Sequence, residues 1–246
     1  MRRNQLIPRS RDIEAVIPLM RNTPEVLKSF YREDCTIVCI ASGPSLTQEQ
    51  IDLVGISKET NKDLFVIGTN DNWKWKYKNE FVCDYLYAAD DSWWGVWLKR
   101  INEQKFDRPK FIPMKQDFAK KNGLTMLPCV HQQGLGIAGK IHCLNNSGAQ
   151  AIGLAYYLGA KKIILIGYDM KIADSGKIHW FGNHEKGLRN TPSRYTSWIP
   201  HLKGLSEGLR KHEVDVVNCT LDSAIPMSTF RQNDLKKELM ITSIVH

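Results

Sequence analysis

Cys35-Thr36-Ile37-Val38-Cys39-Ile40, followed at once by Ala41-Ser42-Gly43-Pro44-Ser45-Leu46, decides how this chain folds. Six nearly continuous apolar residues fit a strand buried on both faces. A small-residue turn follows it. Then comes Thr47-Gln48-Glu49-Gln50, a capping-box pattern that opens a helix. Runs of the same apolar kind recur at Leu64-Phe65-Val66-Ile67, Tyr85-Leu86-Tyr87-Ala88, Phe111-Ile112, Ile163-Ile164-Leu165-Ile166 and Val214-Asp215-Val216-Val217. Helical stretches separate several of them. The clearest runs from Ser147 to Leu158, where Ala151, Leu154, Ala155 and Leu158 share one face. Ser147 and Gln150 match a second capping box, and Gly159 stands where a C-terminal glycine belongs. Strand alternating with helix predicts an α/β fold, a mostly parallel sheet with helices on both faces.

The remaining sequence bounds this reading. At about 100–200 residues per domain, 246 residues suit one large domain with short appendages. Residues 1–33 read as a helical lead-in, with Thr23-Pro24-Glu25 as cap, first-turn proline and early acid. Residues 34–225 form the core domain, and residues 226–246 a tail with a helix over Gln232 to Met240. No apolar run approaches the roughly 18–20 residues of a membrane helix. The charged N-terminus lacks the apolar stretch of a secretion signal. A cytoplasmic protein with no membrane span is therefore expected. Cys35, Cys39, Cys83, Cys129, Cys143 and Cys219 form no Cys-x-x-Cys pair, and read as buried small hydrophobes. With 34 Lys and Arg against 26 Asp and Glu, the formal charge is +8. Such a field favours nucleotides, phosphorylated substrates or nucleic acid.

Chemistry is expected where the strands end. The turn Ser42-Gly43-Pro44-Ser45 lets backbone approach a ligand, and the helix after it favours an anion. Its spacing is neither that of a Walker loop nor that of a dinucleotide fingerprint. In Gly68-Thr69-Asn70-Asp71-Asn72, Asn70 reads as a contact to a base or ribose, or as part of an Asn/Asp turn. Asp90-Asp91 could bind a divalent metal, orient a hydroxyl, or cap a helix whose core face is Trp93, Trp94 and Trp97. Gly134-Leu135-Gly136-Ile137-Ala138-Gly139 matches G-x-G-x-x-G literally, but no strand precedes it and no acid follows at the right distance. It reads instead as a ligand-facing loop running into Asn145-Asn146-Ser147-Gly148, a second anion site at a helix start. Gly167-Tyr168-Asp169-Met170 ends the most hydrophobic strand. The loop after it holds His179 and His184 with Glu185, a source of a general base near pH 7. His-x4-His is poor zinc spacing, so no metal site is read there. Trp73-Lys74-Trp75-Lys76-Tyr77-Lys78 fits base stacking or an edge strand.

The strand with Gly43-Pro44-Ser45-Leu46 resembles the opening of the bacterial sialyltransferases of the Campylobacter type. It is also similar to motility accessory factors and to an archaeal hydroxymethylpterin pyrophosphokinase. Asn70 resembles the asparagine those sialyltransferases place near the nucleotide. Ser147-Gly148, the helix to Leu158, and Gly159 through Asp169 resemble their serine–glycine helix and following strand. With the histidine loop and Asn218-Cys219-Thr220, the set resembles a phage protein family. The resemblance spans roughly residues 35 to 225. It implies a Rossmann-like fold and transfer of a group, a sugar first, from a nucleotide-linked donor to an acceptor hydroxyl. It also implies that His184 or His179 acts as base, beside Asp169. The nucleotide would lie on Ser42, Gly43, Pro44, Ser45, Asn70, Asp90, Asn146, Ser147 and Gly148. Ser42 stands where those enzymes carry asparagine, so the nucleoside is left open. The acceptor would be a glycan or a modified nucleic acid, and a homo-oligomer fits as well. Magnesium is compatible with sugar transfer without being required. The pyrophosphokinase alternative would need it on ATP, held by Asp90, Asp91 or Asp169. A third reading is a non-catalytic nucleic-acid or assembly protein.

Overall fold

The structure, a computed structural model, describes residues 23–137, 139–143, 146–188 and 194–241. The first strand, β1 (Cys35–Ile40), leads through the glycine turn into α1 (Gln48–Thr60) and β2 (Leu64–Thr69). A 3-10 turn, Asn70–Lys74, and a small hairpin of β3 (Lys76–Tyr77) and β4 (Glu80–Phe81) follow. Then come β5 (Tyr85–Tyr87), α2 (Asp91–Glu103), β6 (Lys110–Pro113), α3 (Gln116–Asn122) and β7 (Thr125–Leu127). A short pair, β8 (Cys129–Val130) and β9 (Ile141–His142), precedes α4 (Ser147–Tyr157) and β10 (Ala160–Ile166). The chain closes with α5 (Tyr195–Lys211), β11 (Asp215–Asn218), β12 (Arg231–Gln232) and α6 (Leu235–Glu238).

Eight strands form one sheet in the order β12-β11-β10-β1-β2-β5-β6-β7, and every pairing in it is parallel. The alternation of β1 explains its near-continuous apolar run. Ile37 and Cys39 pack with α4 and α5 on one face. Val38 and Ile40 pack with α1 and α2 on the other. Each fully buried aliphatic side chain contributes roughly 1.5–3 kcal/mol, so a strand covered on both sides has no room for polar residues. The fold is thus the α/β, Rossmann-like arrangement, with helices on both faces of the sheet. From β1 the chain builds outward through β2 to β7. It then returns to β10 on the opposite side of β1. The order reverses between β1 and β10, and in open α/β sheets that is where ligands bind.

Local signals resolve unevenly. The capping box of α1 is present: Thr47 Oγ1 accepts from Gln50 N–H (3.4 Å), and Gln50 Oε1 accepts from Thr47 N–H (3.1 Å). The one read at Ser147 is not. Asn146 caps α4 by accepting from Ala149 N–H (3.1 Å). Ser147 Oγ accepts instead from Ala89 N–H (3.2 Å), and Gln150 accepts from the Tyr87 hydroxyl. Gly159 does close that helix region, at φ +98°. Residues 1–22 of the lead-in lie outside the described residues. Glu25–Phe30 is a 3-10 helix whose cap position is Pro24. Thr23 reaches the Tyr157 carbonyl instead (3.4 Å). The helix read over Gln232 to Met240 shortens to α6, because Arg231–Gln232 pairs with β11. Of Trp73 to Lys78, only Lys76–Tyr77 is strand, paired with β4, while Trp73 and Lys74 belong to the 3-10 turn. Asn70, at φ +50°, turns the chain into the 3-10 turn and Trp73 is buried in the core. Trp93, Trp94 and Trp97 do form the core face of α2. Five cysteines are buried, Cys129 is half-buried, and none is bridged. No described helix is long and apolar enough to cross a membrane.

Candidate functional site

A cleft of about 170 Å³ opens at the carboxyl ends of β1 and β10. Its floor is two interlocked glycine turns. Gly43 N–H donates to the Gly167 carbonyl (2.9 Å). A Cβ on Gly43 would sit 1.8 Å from Asp169 Oδ2 and 2.4 Å from the Gly167 oxygen. Gly167, at φ +72°, presses equally on Ala41, whose oxygen would lie 2.3 Å from a Cβ. No side chain fits at either position. Asp169 Oδ1 accepts from Ser45 N–H (2.9 Å), while Oδ2 is buried with no hydrogen-bond partner. Burial pushes its carboxyl above the usual carboxylate range, and hydrogen bonds from Ser45 pull back. Tyr168 anchors the corner. Its hydroxyl donates to the Gly148 carbonyl (2.9 Å) and its N–H to Thr220 Oγ1 (2.8 Å). The Asn218-Cys219-Thr220 segment therefore braces the floor from below.

These bonds redistribute the expected anion site. The N–H groups of Gly43 and Ser45 are already engaged, so this turn is a wall rather than a nest of open donors. Ser147 and Gly148 also line the cleft. They are the first two residues of α4, so their N–H groups have no acceptor within the helix. The start of α4, rather than the Gly43 turn, is where N–H groups without an intrahelical acceptor line the cleft. Asn146 Nδ2 and Asn70 Oδ1 are each buried without a partner.

The 3-10 turn after β2 fixes the opposite wall. Asn72 is fully buried. Its Nδ2 donates to the carbonyls of Thr69 (2.7 Å) and Ile40 (3.0 Å) and to Ser42 Oγ (3.2 Å). Its Oδ1 accepts from the indoles of Trp180 (2.8 Å) and Trp75 (3.2 Å). Trp180 N–H also donates to the Ser42 carbonyl (3.2 Å). The histidine loop is thereby clamped onto the first turn. His179 stacks on Phe181 and lies 4.8 Å, ring to ring, from His184. Burial, then the neighbouring His184, pushes His179 down to about 4, and its Nε2 has no hydrogen-bond partner. Burial likewise lowers His184, against the pull of Asp71, whose Oδ2 is 3.7 Å from His184 Nδ1. Both imidazoles are therefore neutral at pH 7 and able to accept a proton. Asp90 faces the same space, its carboxyl raised by burial and by Asp91.

Eleven of the twelve residues singled out from sequence line this one cleft: Ser42, Gly43, Pro44, Asn70, Asp90, Asn146, Ser147, Gly148, Asp169, His179 and His184. Ser45 stands just behind the wall, held by Asp169. Sequence reasoning missed Tyr195 and Trp198, which α5 contributes from far along the chain. Their only trace was an aromatic pair at i, i+3. It also passed over Asp71 and Asn72 within a stretch it had quoted. The loop read as ligand-facing, Gly134 to Gly139, lies elsewhere: Gly134 meets Gly204 and Leu135 packs on Gly208, both on α5. Ala138 and Asn145 lie outside the described residues. In the Trp73 stripe, Trp73 is buried in the core and Trp75 packs on Trp180 at 4.2 Å, while Tyr77 is half-buried and Lys76 and Lys78 are exposed. Among the described residues no three His, Cys, Asp or Glu side chains converge to hold a metal ion. The chain matches no family model and no curated protein sequence.

Proposed function

We propose that the chain transfers a sugar from a nucleotide-linked donor to an acceptor hydroxyl. One observation carries the reading: the Gly43 turn and the start of α4, about a hundred residues apart, meet at the switch point of the sheet, facing two neutral imidazoles. In this reading the donor phosphate rests on the N–H groups of Ser147 and Gly148. Asn70 Oδ1 and Asn146 Nδ2, both buried without partners, meet polar edges of the nucleoside. His184 takes the proton of the acceptor hydroxyl. The acceptor oxygen bonds to the anomeric carbon as the bond from that carbon to the phosphate oxygen breaks. The nucleotide leaves as an anion stabilised by preorganised donors, and the imidazolium returns its proton to solvent.

The test is a thermal-shift series over cytidine, uridine, guanosine and adenosine nucleotides and their sugars. A ligand held at a hundred times its Kd stabilises the native state by about 2.7 kcal/mol. For a chain of this size that raises Tm by roughly 5–10 °C. The donor so found should release free nucleotide in the presence of an acceptor, and His184→Ala should abolish release while keeping the shift. If no nucleotide moves Tm, the reading fails. A pyrophosphokinase-type transferase is the second reading, because the carboxyls of Asp90 and Asp169 share the cleft. Transfer that survives EDTA excludes it.

A further inference from the structure

The 3-10 turn Asn70–Lys74 places three consecutive polar residues in three directions. Asn70 faces the cleft and Asn72 ties the loops together. Asp71 points behind the histidine loop, 1% exposed, in a position where an isolated carboxylate would be strongly disfavoured. It is held there by three groups. Lys74 Nζ lies 2.5 Å from Oδ1, Trp93 Nε1 donates to Oδ2 (3.1 Å), and His184 Nδ1 lies 3.7 Å from that same Oδ2. Lys74 in turn sits 3.8 Å over the Trp97 ring, so α2 fixes the whole assembly. Lys74 and Trp93 compensate the buried charge, and the same carboxylate lies beside an imidazole that lines the cleft.

We infer that Asp71 is a positioning residue: it holds the His184 ring with Nδ1 turned inward, so that Nε2 is the nitrogen that takes a substrate proton, and it stabilises the imidazolium once formed. The inference rests on the transfer reading for the proton's origin, but not for the pairing itself. At 3.7 Å the contact is electrostatic, longer than a hydrogen bond. Such contacts commonly tighten when substrate is bound. The charged and titratable groups facing His184 are Asp71 and Lys74 from the 3-10 turn, Asp90 from the end of β5, and His179 from its own loop. Lys74 opposes Asp71, so the two can be separated by mutation.

The experiment follows the His184 ring by NMR titration, assigned with His184→Gln, in wild-type protein, Asp71→Asn and Lys74→Gln. Asp71→Asn should lower the His184 pKa by about one unit or more, since an opposite charge at this range is worth 1–3 units. Lys74→Gln should raise it, because Asp71 is then unopposed. A purely structural role for Asp71 would not move the two variants in opposite directions. An unchanged His184 titration in folded Asp71→Asn overturns the inference. If that variant does not fold, an unchanged titration in Lys74→Gln overturns it equally. No substrate is required, so opposite shifts without any nucleotide binding would sink the transfer reading and leave the pairing standing.

Discussion

Replacing Gly43 by alanine tests the interlocked floor directly. The added Cβ would meet Asp169 Oδ2 at 1.8 Å and the Gly167 oxygen at 2.4 Å, both well inside van der Waals contact. Rotating the carboxylate relieves only the first clash and breaks its bond from Ser45. The second clash is with backbone, and Gly167 cannot retreat because Ala41 lies against it. The ends of β1 and β10 must therefore part. Overpacking of this kind costs about 1–3 kcal/mol. Loss of the bonds from Gly43 to Gly167 and from Ser45 to Asp169 adds about 1 kcal/mol each. The sum is about 3–5 kcal/mol, which for a chain of 246 residues lowers Tm by roughly 6–20 °C. Calorimetry or circular dichroism reads this. Gly95→Ala is the matched control: it lies in α2 with nothing within 4 Å of its Cβ, and alanine there should stabilise by about 0.5–1 kcal/mol. A Gly43→Ala protein that melts within two or three degrees of wild type, and still binds nucleotide, would refute the floor described above.

Other consequences are open to measurement. Burial pushes His142, 2% exposed, down to about 4. The unfolded chain takes that proton near pH 6.5 and the folded one only near 4, so stability should fall as pH drops through this window. About 2.5 units amount to roughly 3 kcal/mol. His142→Gln should flatten the acid side of a urea-midpoint profile by that amount, and an equally steep profile would count against it. Arg231 binds Asp215 and Glu238 and so joins β12 and α6 to β11. Arg231→Met should cost about 1–3 kcal/mol in chemical denaturation, with the C-terminal segment exchanging its amides first. Asn70→Ala and Asn146→Ala should each weaken nucleotide binding in calorimetric titration by about tenfold, and each should also cost the ligand-free protein about 1 kcal/mol, Asn146 because its Oδ1 caps α4 and Asn70 because alanine is strained at φ +50°. Unchanged affinity in both would remove them from the nucleoside contact.

The core of the fold was legible because its strands are covered on both faces. Cys35 to Ile40 could not be an alternating surface strand, and Ala151 to Leu158 could not be anything but a packed helix. What was not legible followed from long-range partners. Ser147 reads as a cap until Ala89 and Asn146 are seen to divide its roles. Gln232 reads as helical until β11 offers it a parallel partner. The stripe from Trp73 to Lys78 has the period of a strand, yet only Lys76–Tyr77 pairs as one, because the turn that starts at left-handed Asn70 takes Trp73 and Lys74 into a 3-10 coil with Trp73 in the core. The candidate site shows the same division. Glycine turns and helix starts announce themselves locally. Tyr195 and Trp198 reach the cleft only because α5 packs on α4, a fact no local pattern records.

The site's organisation follows from where the sheet reverses. Strands that diverge from β1 leave a gap at their carboxyl ends, and something must close it. Here one edge is closed by backbone alone, at Gly43 and Gly167, and the other by a hydrogen-bond hub, Asn72. The hub joins β1 through Ile40, β2 through Thr69, the first turn through Ser42 and the histidine loop through Trp180. A loop that carries imidazoles would ordinarily be free to drift from its cleft. Fastened to a fully buried amide, it shares the rigidity of the sheet, and the His179–His184 pair keeps a fixed distance from the start of α4. That rigidity fixes two imidazoles and the start of α4 around one cleft, and a preorganised arrangement is the condition under which electrostatic stabilisation is strongest.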